Sequence, residues 1–369
     1  MKVVVIGAGI LGASTAYHLA HEGCEVVLVD RADEGRATAA GAGIVCPWGS
    51  EVEDAPSYAL LAGGARYYSH LVAMLAEDGE HDLGYARVGG LYVPTGRGEL
   101  DAVERRARAR AVNAPEAGSI DRLSSADARA LFPPLRPEQP GLFVSGGARV
   151  DGRRLAAALQ RAAAKRRARV LNGTAELVLR GDRASGVRVG GESIEADAVV
   201  VAAGAWAPNI LAPAGVHLAV APQRGQIIHL RLPGTDTAHW PVLLPLDSYY
   251  LLAFEDSRVV VGATREANSG FDYRLTAGGV AEVLGAGLAV APGLASWTLH
   301  EIRIGFRPLA HDHRPKLGPV PGVDNLLIGN GLGPSGLTMG PYSGALLANA
   351  TLGKPTALAL RPFAPPGRS

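Results

Sequence analysis

Cysteine is nearly absent: Cys24 and Cys46 are the only two in 369 residues. Cys24 falls in the turn between a predicted helix and the next strand, so neither a disulfide framework nor a cysteine metal site is expected. Aromatic residues are scarce at 5%, which leaves aliphatic side chains, alanine above all, to build the core. A surplus of either charge is missing too, because 36 Lys+Arg face 35 Asp+Glu for a net charge of +1. That balance argues against nucleic acid or an anionic membrane surface as a partner. No stretch approaches 18 uninterrupted apolar residues, which speaks against membrane insertion, and MKVVVIGAG lacks the basic leader, apolar run and cleavage site of a secretion signal. The expectation is a soluble, cytoplasmic chain starting at Met1. Nothing in the pattern sets an oligomeric state.

Glycine, by contrast, is plentiful: 48 residues, beside 25 prolines. With 47% hydrophobic and 19% charged residues, the chain can bury a large core in two domains or one large one. The first glycines have a clear setting. Val3-Val4-Val5-Ile6 reads as a buried parallel strand and leads into Gly7-Ala8-Gly9-Ile10-Leu11-Gly12. A helical pattern follows to about Glu22, Gly23 stops it, and Glu25 to Asp30 reads as the second strand. Gly7 permits a tight turn, Gly9 lets a pyrophosphate approach bare backbone, and Gly12 lets the helix pack on the strand. The helix start offers unpaired N–H groups to phosphate, and Asp30 stands where an acid meets a ribose. Strand, glycines, helix, strand and terminal acid in this order predict a dinucleotide site.

A nicotinamide and FAD both satisfy that motif. The small-residue stretch Arg31 to Val45, expected as a loop, leans toward FAD, since such a backbone can wrap a pyrophosphate and reach a flavin ring. Helices are predicted over 55–77, 98–111 and 152–167, and a short one begins at the cap Ser124 and ends at Pro133-Pro134. Strands are predicted at 174–180, 185–190 and Ala198 to Val201, the last stopping at Ala202-Ala203-Gly204. A block of strands spans about 224–264, with a helix near 276–290 and a strand near 298–306. The C-terminal part repeats the opening logic: Asn325 to Ile328 as a buried strand, GNGLGPSGLTMGP as a glycine-rich turn, then a helix over 336–350.

VIGAGILG, TAAGAGI, VVVAAGAWAPN, YYLLAF, VVVGATREANSGFD, IGFRP and GNGLGPSGLTMGP, in this order over nearly the whole chain, resemble the D-amino-acid oxidase family of flavoproteins, chiefly its glycine oxidase branch. The resemblance implies an α/β fold: a Rossmann-like FAD-binding domain assembled from 1–48, 141–222 and 307–369. A discontinuous α+β substrate domain, 49–140 and 223–306, would carry a mainly antiparallel sheet. It further implies that Gly7, Gly9, Ile10, Leu11, Gly12, Asp30 and Arg31 serve the FAD pyrophosphate and adenosine. Thr38, Ala42, Gly43 and Ile44 would line the flavin, Ala175 would contact adenine, and Gly204 would pass beneath the cofactor. Gly331, Gly333, Ser335, Gly336, Leu337 and Thr338 would face the flavin pyrimidine. Arg307 of the GFRP segment would pair with a substrate carboxylate, helped by Tyr250, with Tyr249 one residue out of register. The GFRP segment holds no cysteine, so FAD is expected to be non-covalent.

The implied activity is oxidation of the C–N bond of a small amino acid or N-substituted glycine, by hydride transfer from Cα to flavin. The imine would be hydrolysed to a keto acid plus amine or ammonia, with dioxygen and hydrogen peroxide in an oxidase. A D-amino-acid dehydrogenase using another acceptor, or a non-catalytic flavin subunit, remain alternatives; Val260-Val261-Gly262 lacks the lysine that sarcosine oxidases carry there. Among other residues, Cys46 and Trp48 read as packing, His311-Asp312-His313 as a surface turn, and the Glu104–Arg110 and Lys165–Arg169 runs as solvated helix faces. A lid over substrate is expected between about Gly49 and Gly64.

Overall fold

The computed structural model describes residues 1–94, 99–247 and 249–368. Gly98, the expected start of the second long helix, lies outside them, and the helix is described from Glu99 to Ala111. Two large sheets dominate. In the first, the order is Lys316–Pro319, Leu326–Asn330, Ala198–Val201, Lys2–Ile6, Glu25–Asp30, Arg169–Asn172, parallel except for the first pair. Its central strands are unbroken apolar runs because both faces are covered. Val3 and Val5 pack under the helices Ile10–His21, Ala55–Glu77, Gly152–Lys165 and Gly336–Thr351. Val4, Ile6, Val27 and Val29 face a three-stranded antiparallel sheet (Ala175–Arg180, Arg183–Val189, Glu192–Glu195) and the short helix Ala207–Leu211.

The second sheet has eight strands, in the order Thr298–Ala310, Val220–Arg231, Arg258–Gly262, Tyr250–Phe254, Val242–Pro245, Gly90–Val93, Gly141–Val144, Ile120–Leu123. All pairs are antiparallel save Val242–Pro245 with Gly90–Val93. The helices Ser125–Leu131 and Ala277–Val290 bury one of its faces, and both start on the side-chain caps Ser124 and Thr276. Among the described residues, no helix is long and apolar enough to cross a membrane.

Several elements depart from expectation. Residues 31–45 are not all loop: Ala37–Ala40 is a helical turn, and Ile44–Val45 pairs with Ala148–Arg149. Gly141–Val144, expected on the cofactor side, pairs with Gly90–Val93 in the second sheet. Val220–Arg231 and Thr298–Ala310 run through the boundaries expected at 222 and 306, each as one continuous strand of the eight-stranded sheet. Residues 55–64 form the start of the helix Ala55–Glu77 instead of a lid. A Cβ on Gly64 would come 2.3 Å from the Thr338 carbonyl oxygen, so this helix is seated against the C-terminal one. The arginine run is only partly solvated. Arg110 donates to the carbonyls of Trp48, Ser50 and Val52 and lies 3.8 Å from the Tyr58 ring centroid, while Arg106 reaches Gly49. These contacts staple the 47–52 segment. In the second run, Lys165 and Arg166 bind Glu80 and Asp78.

Candidate active site

At the carboxyl ends of the parallel strands the chain opens a cavity of about 510 Å³ that also reaches the face of the eight-stranded sheet. A crevice in this position is where open α/β sheets bind ligands. Gly7 turns the chain with φ +103°, and a Cβ there would lie 2.5 Å from the Ala202 carbonyl oxygen. The first helix has no capping side chain of its own at Gly9. Instead the Thr38 hydroxyl accepts from the Ile10 N–H at 2.9 Å, which ties the 37–40 turn to the helix start. Asp30 holds the other side of the turn. Its carboxylate accepts from the Ala8 and Ala32 N–H groups, both at 2.6 Å, with Arg36 3.5 Å away. Asn330 joins two further turns, donating to the Gly204 carbonyl at 2.9 Å and accepting from the Gly331 N–H at 2.7 Å.

Most of the residues expected at the site line this cavity: Gly7, Gly9, Ile10, Leu11, Asp30, Arg31, Thr38, Ala42, Gly43, Ile44, Ala175, Gly204, Gly333, Gly336, Leu337, Tyr250 and Arg307. Gly12, Gly331, Ser335 and Thr338 stand behind the wall. Gly12 lets the helix pass the Gly7 carbonyl, and the Thr338 hydroxyl donates to the Ile44 carbonyl at 2.7 Å. Sequence reasoning missed Arg36, Trp206, Asn209, Gly225, Phe306 and Asn330 as lining residues. Cys46 lies outside the cavity wall beside Tyr92, and burial pushes its thiol up to about 11. Trp48 is buried in the same cluster.

On the antiparallel sheet, two glycines make room for the two side chains expected to meet the substrate. The Arg307 guanidinium lies flat over Gly225, where a Cβ would come within 2.6 Å of both terminal nitrogens. The Tyr250 ring lies over Gly262, where a Cβ would meet its hydroxyl oxygen at 2.3 Å. The two side chains lie close enough to influence each other electrostatically, and Arg307 donates to the Thr264 carbonyl at 3.0 Å. Among the described residues no carboxylate pairs with Arg307. Burial first, and then the nearby Arg265 cation, pull its pKa below the usual arginine range. Burial raises that of Tyr250, opposed by the two arginines. Tyr249 points elsewhere, donating to Glu282 at 2.7 Å.

Bare backbone from three glycine-rich turns, a helix start with no capping side chain of its own and an acid at the strand end fit a dinucleotide, and the half-buried cation beyond fits an anionic substrate. The chain matches the model of the FAD dependent oxidoreductase (DAO) family over residues 2–350. It is 31% identical to the glycine oxidase of Pseudomonas aeruginosa, over 100% of this chain and 99% of that protein. It is 48% identical to the oxidoreductase YurR of Bacillus subtilis, over 99% and 98%. The crystal structure of iminodiacetate oxidase from Chelativorans sp. BNC1 superposes with a TM-score of 0.97 at 52% identity, covering 100% of both chains. These relations resolve the choice between a nicotinamide and FAD. The chain belongs to the DAO family of FAD-dependent oxidoreductases, in its glycine oxidase-like branch, and FAD is its cofactor.

Proposed function

We propose that the protein oxidises the C–N bond of a small amine bearing a carboxylate, and that Arg307 and Tyr250 hold that carboxylate. One observation supports this above others: Arg307 is a half-buried guanidinium on the cavity wall that donates to a backbone carbonyl and, among the described residues, pairs with no carboxylate. A cation partly withdrawn from water without a counter-charge is costly, and a substrate carboxylate meets its planar fork with two charge-assisted bonds. Tyr250 then donates to the same carboxylate, which fixes the Cα–N bond in one orientation.

In this reading the turn Gly7–Gly12 and the first helix start hold the FAD pyrophosphate, Asp30 holds the ribose, and the 38–44 and 333–337 segments line the flavin. FAD supplies the two-electron acceptor for the Cα hydrogen and its electron pair. The substrate leaves as an imine, which water splits into a keto acid, glyoxylate for a glycine unit, and the released amine or ammonia. Among the possible substrates we favour N-substituted glycines with a second carboxylate. The similar structure of 52% identity is of an iminodiacetate oxidase.

A panel of glycine, D-alanine, sarcosine and iminodiacetate, run with wild type and Arg307→Ala or Lys, tests the assignment. Both variants should retain FAD and raise KM, at a cost of about 2–5 kcal/mol in substrate binding. Unchanged kinetics would remove Arg307 from the site. Reoxidation of the reduced flavin by air within seconds would identify an oxidase, and slow reoxidation a dehydrogenase.

A further inference from the structure

Beyond Gly262 the regular ladder of the strand Arg258–Gly262 ends; the Thr264 N–H still donates to the Gln226 carbonyl at 3.3 Å, and a paired bridge resumes at Glu266. There the Glu266 N–H donates to the Arg224 carbonyl at 2.9 Å and the Arg224 N–H to the Glu266 carbonyl at 3.1 Å. The carboxylate of Glu266 closes this short excursion from below. Its Oε2 accepts from Arg224 Nε at 3.0 Å and Nη2 at 2.5 Å. Its Oε1 accepts from the Thr264 hydroxyl at 2.7 Å and from Gln226 Nε2 at 2.8 Å. The Thr264 hydroxyl accepts in turn from the Gln226 N–H at 2.9 Å. Gln226 is fully buried and is itself fixed through Thr276, which donates its N–H to Gln226 Oε1 at 3.0 Å. Thr264 is thus held by both its hydroxyl lone pair and its hydroxyl proton, and its carbonyl is the one that receives Arg307 Nη1.

We propose that Glu266 is a positioning residue for the substrate. Through the Thr264 hydroxyl it fixes the Thr264 carbonyl, and that carbonyl aims the Arg307 fork. This rests on the reading of Arg307 as the carboxylate anchor. A guanidinium recognises a carboxylate through two parallel bonds, so a rotation that leaves the charge in place still loses one of them. Arg224 would not be orphaned by loss of Glu266, because it also pairs with Asp272 at 2.9 Å and donates to the Asp272 and Arg274 carbonyls. The specific consequence of losing Glu266 therefore falls on Thr264.

The test uses the FAD-loaded protein with Glu266→Gln, Thr264→Val, Thr264→Ser and Asp272→Asn. Two readouts are needed: KM and kcat with an amine carboxylate, and the dissociation constant of acetate, a non-reacting carboxylate, from its perturbation of the flavin spectrum. Glu266→Gln and Thr264→Val should raise KM and the acetate constant about tenfold, with kcat at saturation within about twofold of wild type. Thr264→Ser should restore both, and Asp272→Asn, which weakens the other ion pair of Arg224 and the pair with Arg274 but leaves Glu266 in place, should change neither. Wild-type acetate affinity in folded, FAD-bearing Glu266→Gln would overturn the inference, as would an equal loss in Asp272→Asn. If Glu266→Gln does not fold, wild-type affinity in Thr264→Val overturns it as well. Should Arg307→Ala itself leave acetate binding intact, the functional reading fails; should Arg307→Ala abolish binding while Glu266→Gln does not, this inference alone fails.

Discussion

Replacing Gly225 with alanine isolates the geometry of the substrate anchor from its charge. The new Cβ would lie 2.6 Å from Arg307 Nη1 and Nη2 and 2.7 Å from Cζ. Non-bonded heavy atoms settle at about 3.5 Å or more, so the guanidinium must retreat by about 1 Å. The obstacle is the far end of a flexible side chain, which can move without disturbing the strand Val220–Arg231. Alanine also suits a strand better than glycine, by about 0.5–1 kcal/mol. Stability and FAD content should therefore stay near wild type. Catalysis should not, because a 1 Å misplacement of a positioning group costs about 10²-fold, equivalent to about 2.7 kcal/mol. Steady-state kcat/KM and the acetate dissociation constant, measured beside Gly278→Ala, make the assay. Gly278 has no atom within 4 Å of its would-be Cβ and serves as the neutral control. A Gly225→Ala enzyme with wild-type kcat/KM and acetate affinity would refute the placement of the substrate carboxylate at Arg307.

Three further outcomes are expected. Gly12→Ala puts a Cβ 1.9 Å from the Gly7 carbonyl oxygen, backbone against backbone; a loss of about 3 kcal/mol or more, read as a lowered unfolding midpoint, should accompany loss of FAD. Asp30→Ala strips the Ala8 and Ala32 N–H groups of their acceptor, so FAD should dissociate about tenfold more readily, and an unchanged dissociation constant would argue against Asp30 as a cofactor residue. Burial pulls the His18 imidazole down to about 4. The unfolded chain therefore binds a proton that the folded one refuses, and stability present above pH 6.5 is lost as pH falls toward 4, by about 3 kcal/mol at most. His18→Gln should flatten that part of the unfolding midpoint against pH.

Local grammar made the dinucleotide turn legible. Gly7, Gly9, Gly12 and Asp30 act within one strand–helix–strand unit, and each residue type has a reason that needs no distant partner. The same holds for the cap Ser124. What stayed hidden depends on chain segments far apart in sequence. Gly225 and Gly262 are single glycines in strands, a pattern that signals close approach without naming Arg307 or Tyr250 as what approaches. Glu266 became meaningful only once Val220–Arg231 lay between Thr298–Ala310 on one side and the 264–266 segment on the other, bringing Arg224, Gln226, Thr264 and Arg307 together. The 141–144 segment reads equally well as a strand of either sheet, because its apolar run carries no signal of its partner. Arg110 looked solvated for a similar reason: the carbonyls it binds belong to a loop some sixty residues earlier.

The central claim, oxidation of an amine held by its carboxylate at Arg307, is tested most directly by anaerobic rapid-mixing reduction of the bound FAD. Sarcosine and iminodiacetate should bleach the flavin at least about 10²-fold faster than dimethylamine, which keeps the amine but has no carboxylate, and that preference should collapse in Arg307→Ala. Equal bleaching by all three amines, or a preference that survives in Arg307→Ala, would contradict the account.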